Sequence, residues 1–564
     1  MTRAAPAGGE DIASHVWRMR YRYGGEQKPD DSFRRVARAI AAVEGDGAAL
    51  WEEKYLVLMR SGQFLPGGRI LAGAGTGRRV TLFNCFVMGA IEDSIEGIFR
   101  ALQESAITLQ QGGGIGLDFS TLRPKGMPAK GTGAIASGPV SFMHVWDRMC
   151  ATMLSTGTRR GAMMATLRCD HPDIQLFIEA KREAGTLSFF NLSVLVTEAF
   201  LAAVREDRDW PLVFPAAGAV RRRVRARGLW ERLMRAAHAG SEPGVLFVDR
   251  INQSNNLAYC ETISATNPCG EVPLPPYGAC NLGSLNLTAF VREPFTPGAR
   301  FDEAALGDAA RLAVRMLDTV IDISRFPLPA QQAQSKGSRR IGLGIMGLAD
   351  ALVMLGLRYD SAEARSVAAR AMRAVCHAAY RASIVLAEEK GAFPRFEREH
   401  YLAAPFIAAL PPDIGESIGE HGIRNSHLTA IAPTGTISLI AGQVSSGLEP
   451  LLAPAVEREV LQPGGSLRTF RITAHSVRLW RQRSSGLPPA FVCGEDISPE
   501  SQLAMQAALQ LYVDNAMSKT LTVPAVYPFE AFAELYQQAD ALGLKGCTAF
   551  RPGGARGCVA RPAS

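Results

Sequence analysis

The densest chemistry in this sequence lies in the stretch SATNPCGEVPLPPYGACNLGSLNL, Ser264–Leu287. Cys269 stands between Pro268 and Gly270, Glu271 follows two residues later, and Cys280 lies eleven residues beyond Cys269. A metal site, a structural disulfide and a reactive thiol are the three uses of sulfur such a loop offers. Zinc asks for four ligands. Cys260, Cys269 and Cys280 supply three, at unusual spacing and with no histidine beside them. None of the ten cysteines (85, 150, 169, 260, 269, 280, 376, 493, 547 and 558) forms a CxxC pair, which removes the commonest zinc and thioredoxin-type signatures. A structural bridge conflicts with the reducing setting expected for a large chain of this kind. The reactive reading has more to offer. Asn267 carries an amide donor, Glu271 can exchange a proton, and Pro268 with Gly270 shapes a tight loop that exposes the sulfur between them.

Other motifs are weaker alone. PTGTIS, Pro433–Ser438, follows the apolar run LTAIA. Its hydroxyls, its glycine and the backbone N–H groups of a helix start suit a phosphate, but an ordinary helix cap explains it equally well. QGGGIG, Gln111–Gly116, lets a ligand or another segment approach the backbone, or is simply a tight turn. GLGIMG, Gly342–Gly347, fits GxGxxG, yet QSKGSRR before it is no buried strand, so close helix packing is the expected role rather than dinucleotide binding. No GxxxxGK[ST] is present, which excludes a P-loop.

These residues need a large scaffold, and 564 residues provide it. Strand-like runs (RVTLFNCFVMGA, FFNLSVLVT) alternate with helical ones (DSIEGIFRALQESAITLQ, capped at Asp93 or Ser94; SGPVSFMHVWDRMCATML; DEAALGDAARLAVRMLDTVIDI; SAEARSVAARAMRAVCHAAYRASIVLAEEKG). Such alternation predicts an α/β layer or barrel. Residues 1–80 read as mainly helical, 81–550 as the catalytic unit, and 551–564 as an irregular tail. The net charge of +7 is spread along the chain; the densest basic run, VRRRVRAR, is read as a solvated face. Neither a nucleic-acid tail, a signal peptide nor a membrane span is expected, so the location expected is cytoplasmic. Diffuse positive charge would still attract a phosphorylated small molecule.

NPCGE with ACNLGS eleven residues on resembles the active-site loop of the adenosylcobalamin-dependent (class II) ribonucleotide reductases. NCFVMGAIEDSIEGIF, GGGIGLDFSTLRPKG, ASGPVSFMHVWD, RRGAMMATLRCDHPDIQLFIEAK, RRIGLGIMGLADAL, IAPTGTIS, SSGLEP and YVDNAMSKTLTVP resemble the same family in the same order, over roughly residues 60–550. The resemblance implies a ten-stranded α/β barrel of two parallel five-stranded halves, with a finger loop inside and a helical N-terminal region. It implies that Cys269 becomes a thiyl radical and takes the 3′ hydrogen of a substrate ribose. By the same resemblance Glu271 takes the 3′-OH proton, Asn267 holds the ribose hydroxyls, and Cys85 and Cys280 are the dithiol that becomes a disulfide as the 2′-OH leaves. Substrate binding maps onto Asn84, Gly114, Thr434, Gly435, Thr436, Ile437 and Ser438. A deoxynucleoside triphosphate effector maps onto Asp93, Ser94 and Arg123, and onto Arg159 and Arg160 in the loop STGTRRGAM. Implied partners are a ribonucleotide, taken to be a diphosphate, a thioredoxin-like or glutaredoxin-like reductant, and a second copy in a homodimer.

The radical source follows from what the motifs leave out. KGCTAFRPGG has no adjacent tyrosines for a tyrosyl relay, and no RVxGY glycyl loop is present. Adenosylcobalamin is therefore the expected cofactor, although no DxHxxG motif marks its contacts; no resident metal ion is expected. A C-terminal CxxC pair to reload the dithiol is absent, with Cys547 and Cys558 the only candidates near the end, and the N-terminal stretch is short for an ATP cone. A nucleotide-binding paralogue without turnover, and a cobalamin-independent radical enzyme on the same barrel, are the alternative readings.

Overall fold

A computed structural model describes residues 11–128, 134–153, 161–214, 219–461, 466–552 and 560–563. Its centre is a nine-stranded mixed sheet. Five strands run parallel in sequence order: Cys85–Val87, Gly114–Asp118, Met163–Arg168, Phe190–Val196 and Gly244–Phe247. They are nearly continuous apolar runs because helices cover them, as parallel sheets require. Ala279–Asn286 then pairs antiparallel with the Cys85 strand and parallel with Ile341–Met346. Parallel bridges Leu343–Thr429 and Ile431–Met517 continue this second run, and Gly546–Cys547 pairs antiparallel with Gly244–Phe247.

Helices begin where the sequence offers caps. Ser94 accepts from Gly97 N at 3.0 Å to open Ile95–Gln110. Asp302 and Ser361 do the same for Glu303–Ile323 and Ala362–Lys390. This satisfies N–H groups that the first turn leaves orphaned. The last two helices pack on each other, and Glu303–Ile323 also packs on the strands Ala279–Asn286 and Ile341–Met346. The N-terminal helices Ile12–Arg20, Pro29–Ala41 and Ala48–Arg60 lead into the short strand Phe64–Pro66, which pairs with Leu285, Ser284 and Gly283.

Two expectations are corrected, and a third gains detail. GLGIMG packs on a helix as expected, Glu303–Ile323, but does so as a buried strand: the backbone of Ala430 lies so near Gly344 that a Cβ there would sit 2.2 Å from its carbonyl oxygen. PTGTIS does not start a substantial helix; Ile437–Ile440 is a single turn, so a macrodipole contributes little. The tail expected to be irregular includes a strand, Ala560–Pro562, which pairs with the edge of the hairpin Ala455–Leu461/Leu467–Thr473.

The Ser264–Leu287 stretch enters this scaffold as a narrow hairpin, with Ala265–Thr266 paired to Pro273–Leu274. Ala265, Val272 and Leu274 bury against Cys85, Val87, Cys280, Leu282, Ala430 and Ala432 in an apolar cluster separate from the main core. Contact is backbone to backbone, since a Cβ at Gly116 would lie 1.9 Å from Thr266 O. Gly116→Ala should therefore displace the hairpin. The expected loss of stability is about 1–3 kcal/mol, typical of overpacking, with a disproportionate loss of activity. Denaturant melts and turnover assays check this; a variant with wild-type values for both would show that the contact is not constraining.

Candidate active site

The tip of the hairpin is Asn267-Pro268-Cys269-Gly270-Glu271. Gly270 has φ +82°, the left-handed region that glycine enters without strain, and Gly270 N donates to Asn267 O at 3.1 Å, closing the turn. Three bonds from three segments tether the loop: Thr166 Oγ1 to Ser264 O at 2.8 Å, Asn191 Nδ2 to Pro268 O at 2.7 Å, and Ala516 N to Glu271 O at 2.9 Å; within it, Val272 N donates to Asn267 Oδ1 at 2.9 Å. With the ends fixed, Cys269 is exposed while Asn267 and Glu271 on either side are buried.

Two of the other thiols meet beneath this tip. Cys85 and Cys280 are directly opposite each other on antiparallel strands. Such partners have Cα atoms roughly 4.5–5.5 Å apart, inside the range a disulfide spans. Both are reduced in this structure. Asn267 Nδ2 donates to Cys85 Sγ at 3.1 Å, and Cys85 Sγ lies 3.9 Å from Glu271 Oε1. One amide thus ties the first thiol to the hairpin and, through Oδ1, fixes its own orientation.

Burial sets the protonation states. Desolvation raises the Cys85 thiol well above its ordinary value, with the nearby Glu271 carboxylate adding to it. Cys280 is likewise pushed far up, first by burial. Desolvation lifts Glu271 to about 7, against the lowering effect of Asn267 and Cys85. Its Oε2 has no hydrogen-bond partner among the described residues, nor has Asn84 Oδ1. Unpaired buried polar atoms are costly, and both atoms belong to residues that line one cavity.

That cavity, about 270 Å³, brings together Asn84, Cys85, Gly114, Asn267, Cys269 and Glu271 with the turn Thr434–Ile437. Cys280 stands behind Cys85 and does not line it. Ser438 is buried behind the turn, its hydroxyl 3.4 Å from that of Ser446. Thr434 sits at φ +53°, and its Oγ1 accepts from Gly447 N at 2.9 Å. No acceptor for the N–H groups of Gly435, Thr436 and Ile437 occurs among the described residues. A concave run of free N–H groups is an anion cradle without any help from a long helix.

A second cavity, about 310 Å³, meets Cys269 from the other side and shares Pro268 and Pro433 with the first. Asn191, Ser193, Gln506 and Lys519 line it, as do Lys545 and Cys547. Lys545 is buried, with Nζ donating to Asp514 O and Asn515 O at 2.6 Å each, and desolvation lowers it to about 8. Burial raises Cys547 to about 12. Sequence reasoning missed this cavity, because its walls come from distant segments with no shared motif. Arg69, which lines the first cavity, was also missed; its only local signal is the glycine-rich LPGGRI around it.

The residues expected to bind an effector lie elsewhere. Arg123 Nε meets Asp93 Oδ2 at 2.9 Å, and Ser94 caps a helix; none of the three lines the catalytic cavity. Arg159, Arg160 and Cys558 fall outside the described residues.

Comparison with known proteins shows the family. Residues 83–550 match the family model "Ribonucleotide reductase, barrel domain", and residues 10–79 match "Ribonucleotide reductase, all-alpha domain". A vitamin B12-dependent ribonucleoside-diphosphate reductase of Mycobacterium tuberculosis (strain CDC 1551 / Oshkosh) is 40% identical, over 96% of this chain and 79% of its own length. One of the same description from Thermoplasma acidophilum is 36% identical, over 90% of this chain and 66% of its own. The large subunit of the vaccinia virus ribonucleoside-diphosphate reductase is 28% identical over 77% and 60%. On these matches the chain belongs to the ribonucleotide reductase large-subunit family.

Proposed function

We propose that this chain reduces ribonucleoside diphosphates to 2′-deoxyribonucleoside diphosphates, with adenosylcobalamin as its radical source and Cys269 as its radical carrier. The observation that carries this reading is the placement of Cys269. It is an exposed thiol between two cavities, with a facing cysteine pair and a buried carboxylate on one side only.

The 310 Å³ cavity behind Cys269 suits the adenosyl end of the cofactor. It reaches the sulfur without crossing the substrate cavity, and Ser193 and Gln506 in its wall offer donors and acceptors for a nucleoside. No tyrosine is among its described lining residues. When bound, adenosylcobalamin supplies the one-electron chemistry through homolysis of its carbon–cobalt bond.

On the substrate side, Cys269 takes the 3′ hydrogen atom and returns it at the end. Glu271 accepts the 3′-OH proton, which a carboxylate near pKa 7 does efficiently at neutral pH. Asn84, Asn267 and Gly114 hold the ribose, and the turn Thr434–Ile437, backed by Ser438, receives the phosphate chain. Cys85 and Cys280 give two electrons and two protons: the C2′–OH bond becomes C2′–H, water leaves, and the two sulfurs become a disulfide. A thioredoxin-like or glutaredoxin-like dithiol reduces it again by exchange. Raised thiol pKa values suit this role, because hydrogen transfer needs S–H rather than thiolate. The two parallel strand runs are read as the halves of a ten-stranded barrel, residues 81–550, after a helical region at 1–80 and before a tail at 551–564. Asp93, Ser94 and Arg123, with Arg159 and Arg160, are assigned to a deoxynucleoside triphosphate effector at a homodimer interface in the cytoplasm. No described helix is long and apolar enough to cross a membrane.

Anaerobic incubation of CDP or ADP with the protein, adenosylcobalamin and dithiothreitol should yield the deoxynucleotide, and Cys269→Ala should abolish it. Folded protein that forms no product with cofactor present would contradict the reading. Glu271 gives a second expectation. In the folded protein it holds a proton between pH ~4.5 and about 7 that the unfolded chain has released. Activity should thus rise with pH through about 7 as the base form appears. Stability should fall over the same window by on the order of 3 kcal/mol. Glu271→Gln should remove both dependences; denaturant melts and kcat/KM profiles from pH 4.5 to 8 measure them.

A further inference from the structure

The catalytic cavity does not end at the phosphate turn. Thr436, Gly68 and Arg69 line it and also line an adjoining chamber of about 420 Å³. The wall of that chamber includes Arg18, Arg20, Arg22, Arg69 and Arg78, and among its described lining residues none is acidic. Five arginines with no acid among the described lining residues, beside the N–H groups of Gly435, Thr436 and Ile437, give the charge pattern of a polyanion site.

Arg458 supplies the independent observation. It lies on the strand Ala455–Leu461, where Glu457 and Glu459 are exposed and Val460 is buried. Side chains alternate along a strand, so Arg458 shares the inward face while the two acids point away. Its cross-strand partner is Phe470, a buried ring 4.9 Å from that of His15 on the first helix. The guanidinium Nη2 reaches to 3.9 Å from where a Cβ on Gly435 would stand. No hydrogen bond or ion pair to Arg458 occurs among the described residues. Burial and the neighbouring Arg20 both disfavour its charge. A largely buried arginine on an apolar face, beside a second arginine and without an acid, is costly unless an anion completes it.

We propose that Arg458, with Arg20 and Arg69, binds the terminal phosphate of a nucleoside diphosphate whose first phosphate lies in the Gly435–Ile437 turn. The inference rests on the diphosphate-reductase reading above and adds the group that distinguishes a diphosphate from a monophosphate. Charged donors suit this task, since hydrogen bonds to ionised groups are stronger than neutral ones and an arginine presents two at once.

The test is isothermal titration of CDP and CMP into wild-type, Arg458→Gln and Arg458→Lys proteins, with steady-state kinetics of CDP reduction. Wild-type protein should prefer CDP over CMP by about tenfold or more, the value of one charge-assisted contact. Arg458→Gln should bring that ratio to near one and raise KM for CDP with kcat within about twofold; Arg458→Lys should restore part of the preference. Without nucleotide, Arg458→Gln should melt no lower than wild type, and CDP should stabilise it no more than CMP does. If wild-type protein reduces CDP while Arg458→Gln keeps the full CDP preference, the Arg458 assignment is wrong and the reductase reading stands. A destabilised Arg458→Gln that is still stabilised selectively by CDP likewise overturns it, since the residue is then structural. Should wild-type protein neither bind nor reduce CDP, both fall.

Discussion

Everything in the active site depends on how closely one backbone hairpin approaches the strands around it. Thr266 O lies over Gly116, Pro268 lies over Gly114, and Ala430 O lies over Gly344. No side chain fits in the first or last of these gaps. Packing at this density leaves the hairpin little room to adjust, so its tip is held in one place. The three tethering hydrogen bonds act in the same sense. That from Ala516 N is itself anchored by Asp514, a buried carboxylate accepting from Leu428 N, Thr429 N and Tyr380 OH. Cys269 therefore reaches two cavities while Asn267 and Glu271 remain buried beside Cys85.

A dry site follows from the same packing, and dryness decides the chemistry. Thiols at 3% and 0% exposure stay protonated, which makes Cys85 and Cys280 poor nucleophiles and good hydrogen donors. The same desolvation brings Glu271 into the neutral range, where it takes and releases a proton at little cost. Charge is concentrated instead at the far end, where the free N–H groups of the phosphate turn meet the arginine-lined chamber. The cavity thus joins buried, weakly charged groups at the Cys269 end to a cationic chamber at the other.

Much of this was legible locally. NPCGE announced a tight turn that exposes Cys269, and Ser94 announced a helix start by its position before an apolar repeat. The rest needed a neighbour. GLGIMG is expected only to pack on a helix; with Ala430 placed against Gly344 it is seen to do so as a buried strand. PTGTIS carried the right donors, but its helix stops after one turn because the chain turns again at Gly442, φ +93°. The pairing of Cys85 with Cys280, 195 residues apart, is expected from the family resemblance alone, and the register of two antiparallel strands is its physical cause. Arg458 and the cavity behind Cys269 carry no motif at all, because their meaning arises from what folds beside them.

The central claim is that Cys269 removes the 3′ hydrogen atom of the substrate and gives the same atom back. Turnover of 3′-deuterated CDP with adenosylcobalamin and a dithiol tests it directly. A normal primary isotope effect should appear, the deuterium should be found at C3′ of the deoxynucleotide product, and Cys269→Ser should give no turnover. Product formed without an isotope effect, or formed equally well by Cys269→Ser, would contradict it.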